Sequence, residues 1–228
     1  MAPYNFFYSK SYSYQFAGPF QHWGGQVEWQ ITESWRMTAG DEDNNLSGQQ
    51  GETRFTNRTR YSWLVALPIT CRLEYVFHHW LGYQEAGAAD GGDAYWYGID
   101  QYLHYALNDC WKLGVRFEWF RDEQGTRVGL NRPSNPNNPP FVGNFWSLSA
   151  GVNWTPTKNL TVRPELRWDW FDGTGLPYDT KTEQFMLAAV GSLNLSNHCF
   201  QSGTLTGGVN WFVPCSRRLF STWAAFNP

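Results

Sequence analysis

Two stretches of this chain, residues 109–120 and 160–171, alternate large apolar residues with charged or small ones at every second position. In the first stretch, the alternating sets are Trp111, Leu113, Val115, Phe117 and Trp119 against Lys112, Gly114, Arg116 and Glu118. In the second, they are Leu160, Val162, Pro164, Leu166, Trp168 and Trp170 against Thr161, Arg163, Glu165, Arg167 and Asp169. Successive side chains of a β-strand point to opposite faces, so each stretch predicts a strand with one apolar face and one mostly charged face.

Strands of this kind have two possible settings. In a soluble β-sandwich the charged face is normally short and the inner face is mostly aliphatic. In a transmembrane β-barrel the apolar set, rich in Trp and Phe, faces lipid, and the charged set faces a wet lumen. The length of both sets therefore favours the transmembrane barrel.

Aromatic residues make up 18% of the 228-residue chain, which contains 14 Trp and 12 Tyr. Trp and Tyr are enriched where a side chain lies half in lipid and half in water. A soluble, carbohydrate-binding β protein also collects exposed Trp and Tyr, so composition alone does not separate the two classes. Mean hydropathy is −0.52, and no run approaches the ~18 apolar residues that a membrane-spanning helix needs. If this chain crosses a membrane, it crosses with strands.

Charge and cysteine content exclude other classes of site. The net charge is −3 without a basic stripe, which gives no indication of nucleic-acid binding. The four cysteines have no C-x-x-C spacing for a metal. Cys71 and Cys110 are predicted on one rim, separated by roughly 9–10 Å, which is too far for a disulfide unless the rim is irregular.

Residues 1–20 show no signal-peptide pattern. Because an outer-membrane protein must be exported, the sequence is expected to be a fragment or mature segment, truncated at its N-terminus.

The predicted connections alternate between short and long. Short ones lie at residues 32–34, 67–70, 107–109 and 155–159, and long polar ones lie at 41–52, 84–92, 121–140 and 172–182. Tight turns at one end and long loops at the other are typical of bacterial barrels, whereas Greek-key links do not alternate so regularly. Strands are predicted at residues 22–31, 34–40, 54–67, 71–83, 93–107, 110–121, 143–155, 159–171, 182–195 and 200–213. We therefore predict an all-β fold, an antiparallel up-and-down transmembrane β-barrel of about ten or more strands.

One β-barrel domain is predicted over residues 1–228, with an N-terminal segment at 1–20 and a C-terminal extension of undetermined structure at 196–228. Pro164 lacks the N–H that a strand ladder needs, and a closed barrel has no free edge, so a bulge is expected there. The Pro- and Asn-rich loop 131–140 is predicted to be irregular, either outside the cell or folded inward as a constriction.

Several segments resemble an outer-membrane β-barrel porin family of the OmpL-like type, common in planctomycete genomes. The matching stretches are residues 7–16, 22–25, 97–103, 114–122 (GVRFEWFRD), 162–173 (VRPELRWDWFDG) and 181–185. The resemblance implies an outer-membrane location and a pore role, and it supplies no catalytic residues. Family members are longer at the N-terminus and tend to end near the strand that corresponds to 182–195, whereas this chain continues to Pro228.

Charged residues of the inward-facing sets are the candidate pore-lining residues. They are Glu28, Arg54, Arg58, Arg60, Arg72, Glu74, Asp100, Lys112, Arg116, Glu118, Arg163, Glu165, Arg167 and Asp169. One hypothesis is that these charges set up a transverse field and a constriction that selects solutes. The other, favoured for any single residue, is that they pair across strands and fill a narrow barrel. Arginine is in excess, which indicates a preference for anionic solutes.

Other chemistry is weakly indicated. His78, His79 and His104 are predicted on adjacent strands, but a metal site needs a third ligand and fixed geometry, so no metal is predicted. No Ser, His and Asp arrangement stands out. Carboxylate pairs such as Glu118 and Glu165 have arginine neighbours, which leaves no general acid for a glycosidase. Neither an enzyme nor a cofactor is therefore predicted.

The expected function is passive diffusion of small hydrophilic solutes across a bacterial outer membrane. The expected partners are the lipid bilayer, lipopolysaccharide and the barrel-assembly machinery, and no nucleic acid is expected. The alternatives are a non-conducting anchor or adhesin barrel, and a soluble aromatic-rich β-sandwich that binds glycans. A barrel-embedded hydrolase ranks last. The sequence leaves the solute, the oligomeric state and barrel closure open.

Overall fold

The computed structural model describes residues 6–17, 23–32, 36–43, 58–128, 140–157, 159–179 and 181–193. Its strands form one antiparallel sheet of nine strands that pair in chain order. The strands are β1 (Trp23–Gln30), β2 (Arg36–Asp43), β3 (Arg58–Pro68), β4 (Leu73–Gln84), β5 (Ala94–Ala106), β6 (Trp111–Asp122), β7 (Gly143–Thr157), β8 (Leu160–Gly173) and β9 (Glu183–Leu193). A short π-helix, Ser13–Ala17, precedes β1.

The predicted up-and-down order is confirmed over these strands. Short turns join β3 to β4, β5 to β6 and β7 to β8, whereas longer connections join β4 to β5, β6 to β7 and β8 to β9. The tenth predicted strand, the extension 196–228 and most of the loop 131–140 lie outside the described residues. Among the described strands, β1 and β9 are the edges of the sheet and do not pair with each other. No helix in the described ranges is long and apolar enough to cross a membrane.

Polar side chains close two of the tight turns. The Thr70 hydroxyl oxygen accepts hydrogen bonds from the N–H groups of Arg72 and Leu73 at 3.2 and 3.0 Å. The Asn108 side-chain oxygen accepts from the N–H groups of Cys110 and Trp111 at 2.9 and 3.0 Å. Such local side-chain acceptors favour a turn over continued strand, so β4 and β6 begin directly after them.

Exposed apolar side chains cover one face of the sheet, which we call the outer face. On β6, Trp111, Leu113 and Val115 are 38–43% exposed, and on β8 Leu166 is 54% exposed. A contiguous exposed apolar surface of this kind is rare on a soluble monomer and marks contact with lipid or another protein.

Aromatic rings on the outer face form two rows. Near the long loops, Trp146 lies 5.9 Å from Trp119 and 6.1 Å from Trp170, measured between ring centroids. Near the short turns, Trp111 stacks on Trp154 at 5.5 Å. Since Trp111 and Trp119 are on one strand, the two rows are about 26 Å apart along it.

The opposite, inner face is divided along the strands. Towards the long loops it carries a buried aromatic cluster that includes Trp80, Trp96, Phe120, Phe145 and Phe171. Towards the middle it carries buried charged residues, and residues 6–17, which we call the inner segment, lie against them. The face that the sequence assigned to a lumen is therefore the buried face of the described structure.

Gly98 allows β5 and β6 to approach each other within the aromatic cluster. A Cβ atom at this position would overlap the carbonyl oxygen of Trp119, which is strand backbone and cannot move aside. We expect Gly98→Ala to lower the free energy of unfolding by roughly 1–3 kcal/mol, as overpacking does. Gly191→Ala is the control because a Cβ atom there meets no atom within 4 Å. Urea titration in micelles measures both, and equal effects would contradict the close approach.

The prediction of a bulge at Pro164 is wrong. Strands β7 and β8 pair as far as Gly151 with Glu165 and again from Trp154 with Val162, and the register shift lies between Trp154 and Thr157. On its other side, Pro164 stays in register with Ala189 of β9. The irregularity lies beside the β7–β8 turn, where the change of register disturbs few ladder bonds.

Candidate functional site

The strand registers bring the charged residues of the inner face into two neighbouring rows. Asp100 of β5 pairs with Glu118 of β6, and Glu118 pairs with Ser147 of β7, which in turn pairs with Asp169 of β8. One step towards the short turns, Arg116, Ser149 and Arg167 form the second row. An acidic row therefore lies directly beside a basic one.

Ion pairs join the two rows and also connect the basic row to Glu165, which lies one step further towards the short turns. Arg116 Nε lies 2.5 Å from Glu118 Oε1, and Arg116 Nη2 lies 3.6 Å from Glu165 Oε1. Arg167 Nε donates to Asp169 Oδ1 at 2.7 Å. All five side chains are at most 8% exposed. A charge so deeply buried is tolerated only when it is paired and hydrogen-bonded, which explains the alternation of signs.

Ser9 of the inner segment lies where these side chains converge. Its N–H and its hydroxyl both donate to the Glu165 carboxylate, at 2.7 and 2.6 Å. Arg116 donates to the Ser9 carbonyl oxygen at 2.9 Å and to its hydroxyl at 2.8 Å. Arg167 donates to the Ser9 hydroxyl at 3.0 Å and to the Lys10 carbonyl oxygen at 2.6 Å.

Tyr12 and Ser13 hold the next turn of the segment. The Tyr12 N–H donates to Glu118 Oε2 at 2.6 Å, and the Ser13 hydroxyl donates to Asp100. The Tyr12 ring packs between Phe120 and Phe145, with centroid distances of 6.0 and 5.6 Å. The segment therefore contacts both the charged rows and the aromatic cluster.

A pair of hydroxyls ties the segment to the loop after β8. The hydroxyl oxygens of Tyr12 and Tyr178 are 2.6 Å apart. Burial raises the pKa of both phenols above the ordinary value. Both groups are therefore neutral at neutral pH, and one can donate to the other.

In the described part of the site, six of the candidate pore-lining residues form one connected group. They are Asp100, Arg116, Glu118, Glu165, Arg167 and Asp169. Arg163 is buried and donates to Ser192, and Arg58 is buried and donates to Gln84.

The remaining candidates lie apart from this group. Arg60 and Lys112 are half-buried, and Glu74 lies 3.7 Å from His104. Arg72 is exposed in the β3–β4 turn, and Glu28 is exposed on the edge strand β1. Arg54 lies outside the described residues.

Residues 34–193 match the beta-barrel porin-2, OmpL-like family. The chain belongs to this family. Among solved structures, the NanC porin in a rhombohedral crystal form is similar with a TM-score of 0.47 and 12% identity, over 75% of this chain and 76% of that one. A Pseudomonas aeruginosa FadL homologue is similar with a TM-score of 0.40 and 13% identity, over 73% and 54%. A search of curated proteins gave no match.

Sequence reasoning missed part of this porin's inner face. Asp122 accepts hydrogen bonds from the N–H groups of Thr126, Arg127 and Val128 at 3.0, 2.7 and 3.1 Å. Arg127 in turn donates to the Phe16 carbonyl oxygen at 2.6 Å. The period-two count that found Glu118 extends to Asp122 and could have included it. Arg127 lies in a loop, where no periodicity marks it.

His78, His79 and His104 lie on strands β4 and β5 of the porin sheet. His78 Nδ1 lies 3.3 Å from Asp100 Oδ2 on the inner face, and His79 contacts the Gly98 carbonyl oxygen. Within the described ranges, no three His, Cys, Asp or Glu side chains are arranged to hold a metal ion. Cys110 is exposed and free, so it is not bridged to Cys71.

Proposed function

We propose that this porin allows passive diffusion of small hydrophilic solutes across a bacterial outer membrane, without turnover or cofactor. The two-faced sheet carries the proposal. The two aromatic rows are about 26 Å apart along β6. With the strand tilt of outer-membrane barrels, this distance corresponds to about 20 Å along the membrane normal, close to their ~25 Å apolar band. The middle of the opposite face carries charged residues, as the lumen of an outer-membrane barrel does.

Selection would depend on the inner face. The acidic row with Asp100, Glu118 and Asp169 lies beside the basic row with Arg116 and Arg167 along the strands, so a permeating solute would meet fixed charges of both signs. Arg and Lys outnumber Asp and Glu among the candidate pore-lining residues. We therefore propose that anions pass more readily than cations. Lipopolysaccharide and the barrel-assembly machinery remain proposed partners.

The inner segment favours a second candidate function. It covers the middle of the charged face, where Ser9 and Tyr12 hydrogen-bond to Glu165 and Glu118. A barrel filled in this way at all times would be a non-conducting anchor or adhesin. Conductance separates the two functions.

Planar-bilayer conductance tests the proposed function. The wild-type protein and a variant with a displaced inner segment are both measured, and heat-modifiable gel migration shows that each is folded. We expect ohmic channels with a reversal potential on the anion side. Folded protein that does not conduct in either form would support the non-conducting barrel instead.

Charge reversal at Lys112 should change this selectivity. Lys112 is half-buried on the inner face and close to the short-turn end. We expect Lys112→Glu to move the reversal potential towards cation preference, because fixed charge in a pore acts within the screening length of about 8–10 Å. Lys181→Glu, in the exposed β8–β9 connection, is the matched control and should have a small effect. Equal shifts in both variants would show that the inner face does not select ions.

A further inference from the structure

We infer that the charged rows of the inner face form a peptide-binding site, which the chain's own inner segment occupies and thereby closes the lumen. The ligand class is a short peptide with hydroxyl side chains. The closing of the lumen rests on the proposed porin function, whereas the binding site does not.

Main-chain groups carry much of the recognition. The Ser9 and Tyr12 N–H groups donate to Glu165 and Glu118 at 2.7 and 2.6 Å. The Ser9 and Lys10 carbonyl oxygens accept from Arg116 and Arg167 at 2.9 and 2.6 Å. Every peptide presents these donors and acceptors, and charge-assisted hydrogen bonds of this kind are the stronger ones. The alternating carboxylates and guanidinium groups thus match a peptide backbone.

Side-chain contacts add selectivity. The Ser9 and Ser13 hydroxyls donate to Glu165 and Asp100, so a side chain without a hydroxyl would leave these buried carboxylates without that donor. The Tyr12 ring enters the aromatic cluster, and the Arg167 guanidinium lies 5.1 Å from its centroid. An aromatic anchor between small hydroxyl residues is therefore the pattern that the site binds.

The described inner segment is held by side chains and not by the strand ladder. It contributes no strand to the sheet, and the backbone–backbone hydrogen bond recorded for it, Gln15 N–H to the Ser11 carbonyl oxygen, is internal. Release therefore leaves the pairing of β1–β9 intact. Release of the segment exposes charged side chains to water, and water solvates charged groups well.

Two full-chain variants are designed to release the segment. Ser13→Asp places a carboxylate against Asp100, with Glu118 next to it across β5 and β6. Gly114→Leu fills the space of the Phe6 ring, which a Cβ atom at residue 114 already overlaps. Ser13→Thr, which keeps the hydroxyl, and Gly191→Leu, where a Cβ atom meets nothing within 4 Å, are the controls.

Binding of a labelled synthetic peptide with the sequence of residues 7–17 is measured first, by fluorescence anisotropy in detergent. The peptide omits Phe6, so it does not meet the leucine of the Gly114→Leu variant. A tethered segment has an effective concentration in the millimolar range, so the free peptide competes poorly in the wild type. We expect both release variants to bind it at least about tenfold more tightly than the wild type and the controls, and to bind a scrambled peptide weakly. Equal binding of both peptides, or no binding by either folded release variant, overturns the site.

Conductance then separates the binding site from the porin function. If both hold, the release variants conduct several-fold more than the wild type, and the peptide closes them again. If the peptide binds but no variant conducts, the binding site stands and the porin function fails. If the wild type conducts as well as the release variants and the peptide closes neither, the inferred closing of the lumen is wrong.

Discussion

Replacement of Arg116 by methionine is expected to lower the free energy of unfolding by about 3–5 kcal/mol, the typical cost of removing one partner from a buried ion pair. The Arg116 side chain is 3% exposed and lies against Glu118 and Glu165, which are at most 1% exposed. Methionine fills a similar volume but leaves both carboxylates without this positive charge. It also removes the two hydrogen bonds that Arg116 donates to Ser9.

Arg121→Met is the matched control. Arg121 lies on the same strand and also pairs with the residue two positions further, Glu123, at 2.9 Å. The two partners are 26% and 30% exposed, and an ion pair at such a surface contributes about 0–1 kcal/mol. Urea titrations followed by Trp fluorescence compare the variants. Similar small losses in both would mean that water reaches the charged rows and that the inner segment does not seal them.

Replacement of Val115 by arginine is expected to cost about 2–4 kcal/mol, the value for a cation at the midplane of an outer-membrane barrel's lipid face. Val115 is 43% exposed and lies midway between Trp111 and Trp119 on β6. On a soluble protein a substitution at such an exposed position changes stability by less than about 0.5 kcal/mol. The size of the effect therefore reports whether lipid covers the outer face.

Leu107→Arg is the matched control for depth. Leu107 has the same 43% exposure but lies in the β5–β6 turn, where an arginine costs about 0–1 kcal/mol. Both variants are refolded into lipid vesicles and titrated with urea. If Val115→Arg were no more costly than Leu107→Arg, the outer face would not lie in a membrane.

The strands could be predicted because their sequence repeats with the period of their geometry. Strand β6 was placed within one residue at both ends, since the Trp111 to Trp119 set and the Lys112 to Glu118 set leave one register possible. Register in turn follows from short turns, so the neighbours of Glu118 across β5 and β7 were within reach of sequence reasoning. The position of the bulge was not, because Pro164 on the outer face can lose its N–H partner while register is kept on both sides.

The inner segment could not be predicted to lie in the site. Its serines recur at residues 9, 11 and 13 with the period of a strand, yet the segment forms no strand of the sheet. Its partners Asp100 and Arg167 are 87 and 158 residues away from Ser13 and Ser9 in sequence. Charged residues such as Arg116 are equally compatible with contact to water, to a neighbouring strand or to another segment. The choice is made by burial, which a single sequence does not show.

The same separation in sequence sets an order of events in folding. Residues 6–17 precede β1, yet Ser9 binds Arg116 of β6 together with Glu165 and Arg167 of β8. These groups converge only after β7 has paired with both neighbours, and contacts of such long range form slowly. Docking of the segment is therefore a late folding step. The time at which the segment becomes resistant to protease during refolding would therefore report when assembly of the sheet is complete.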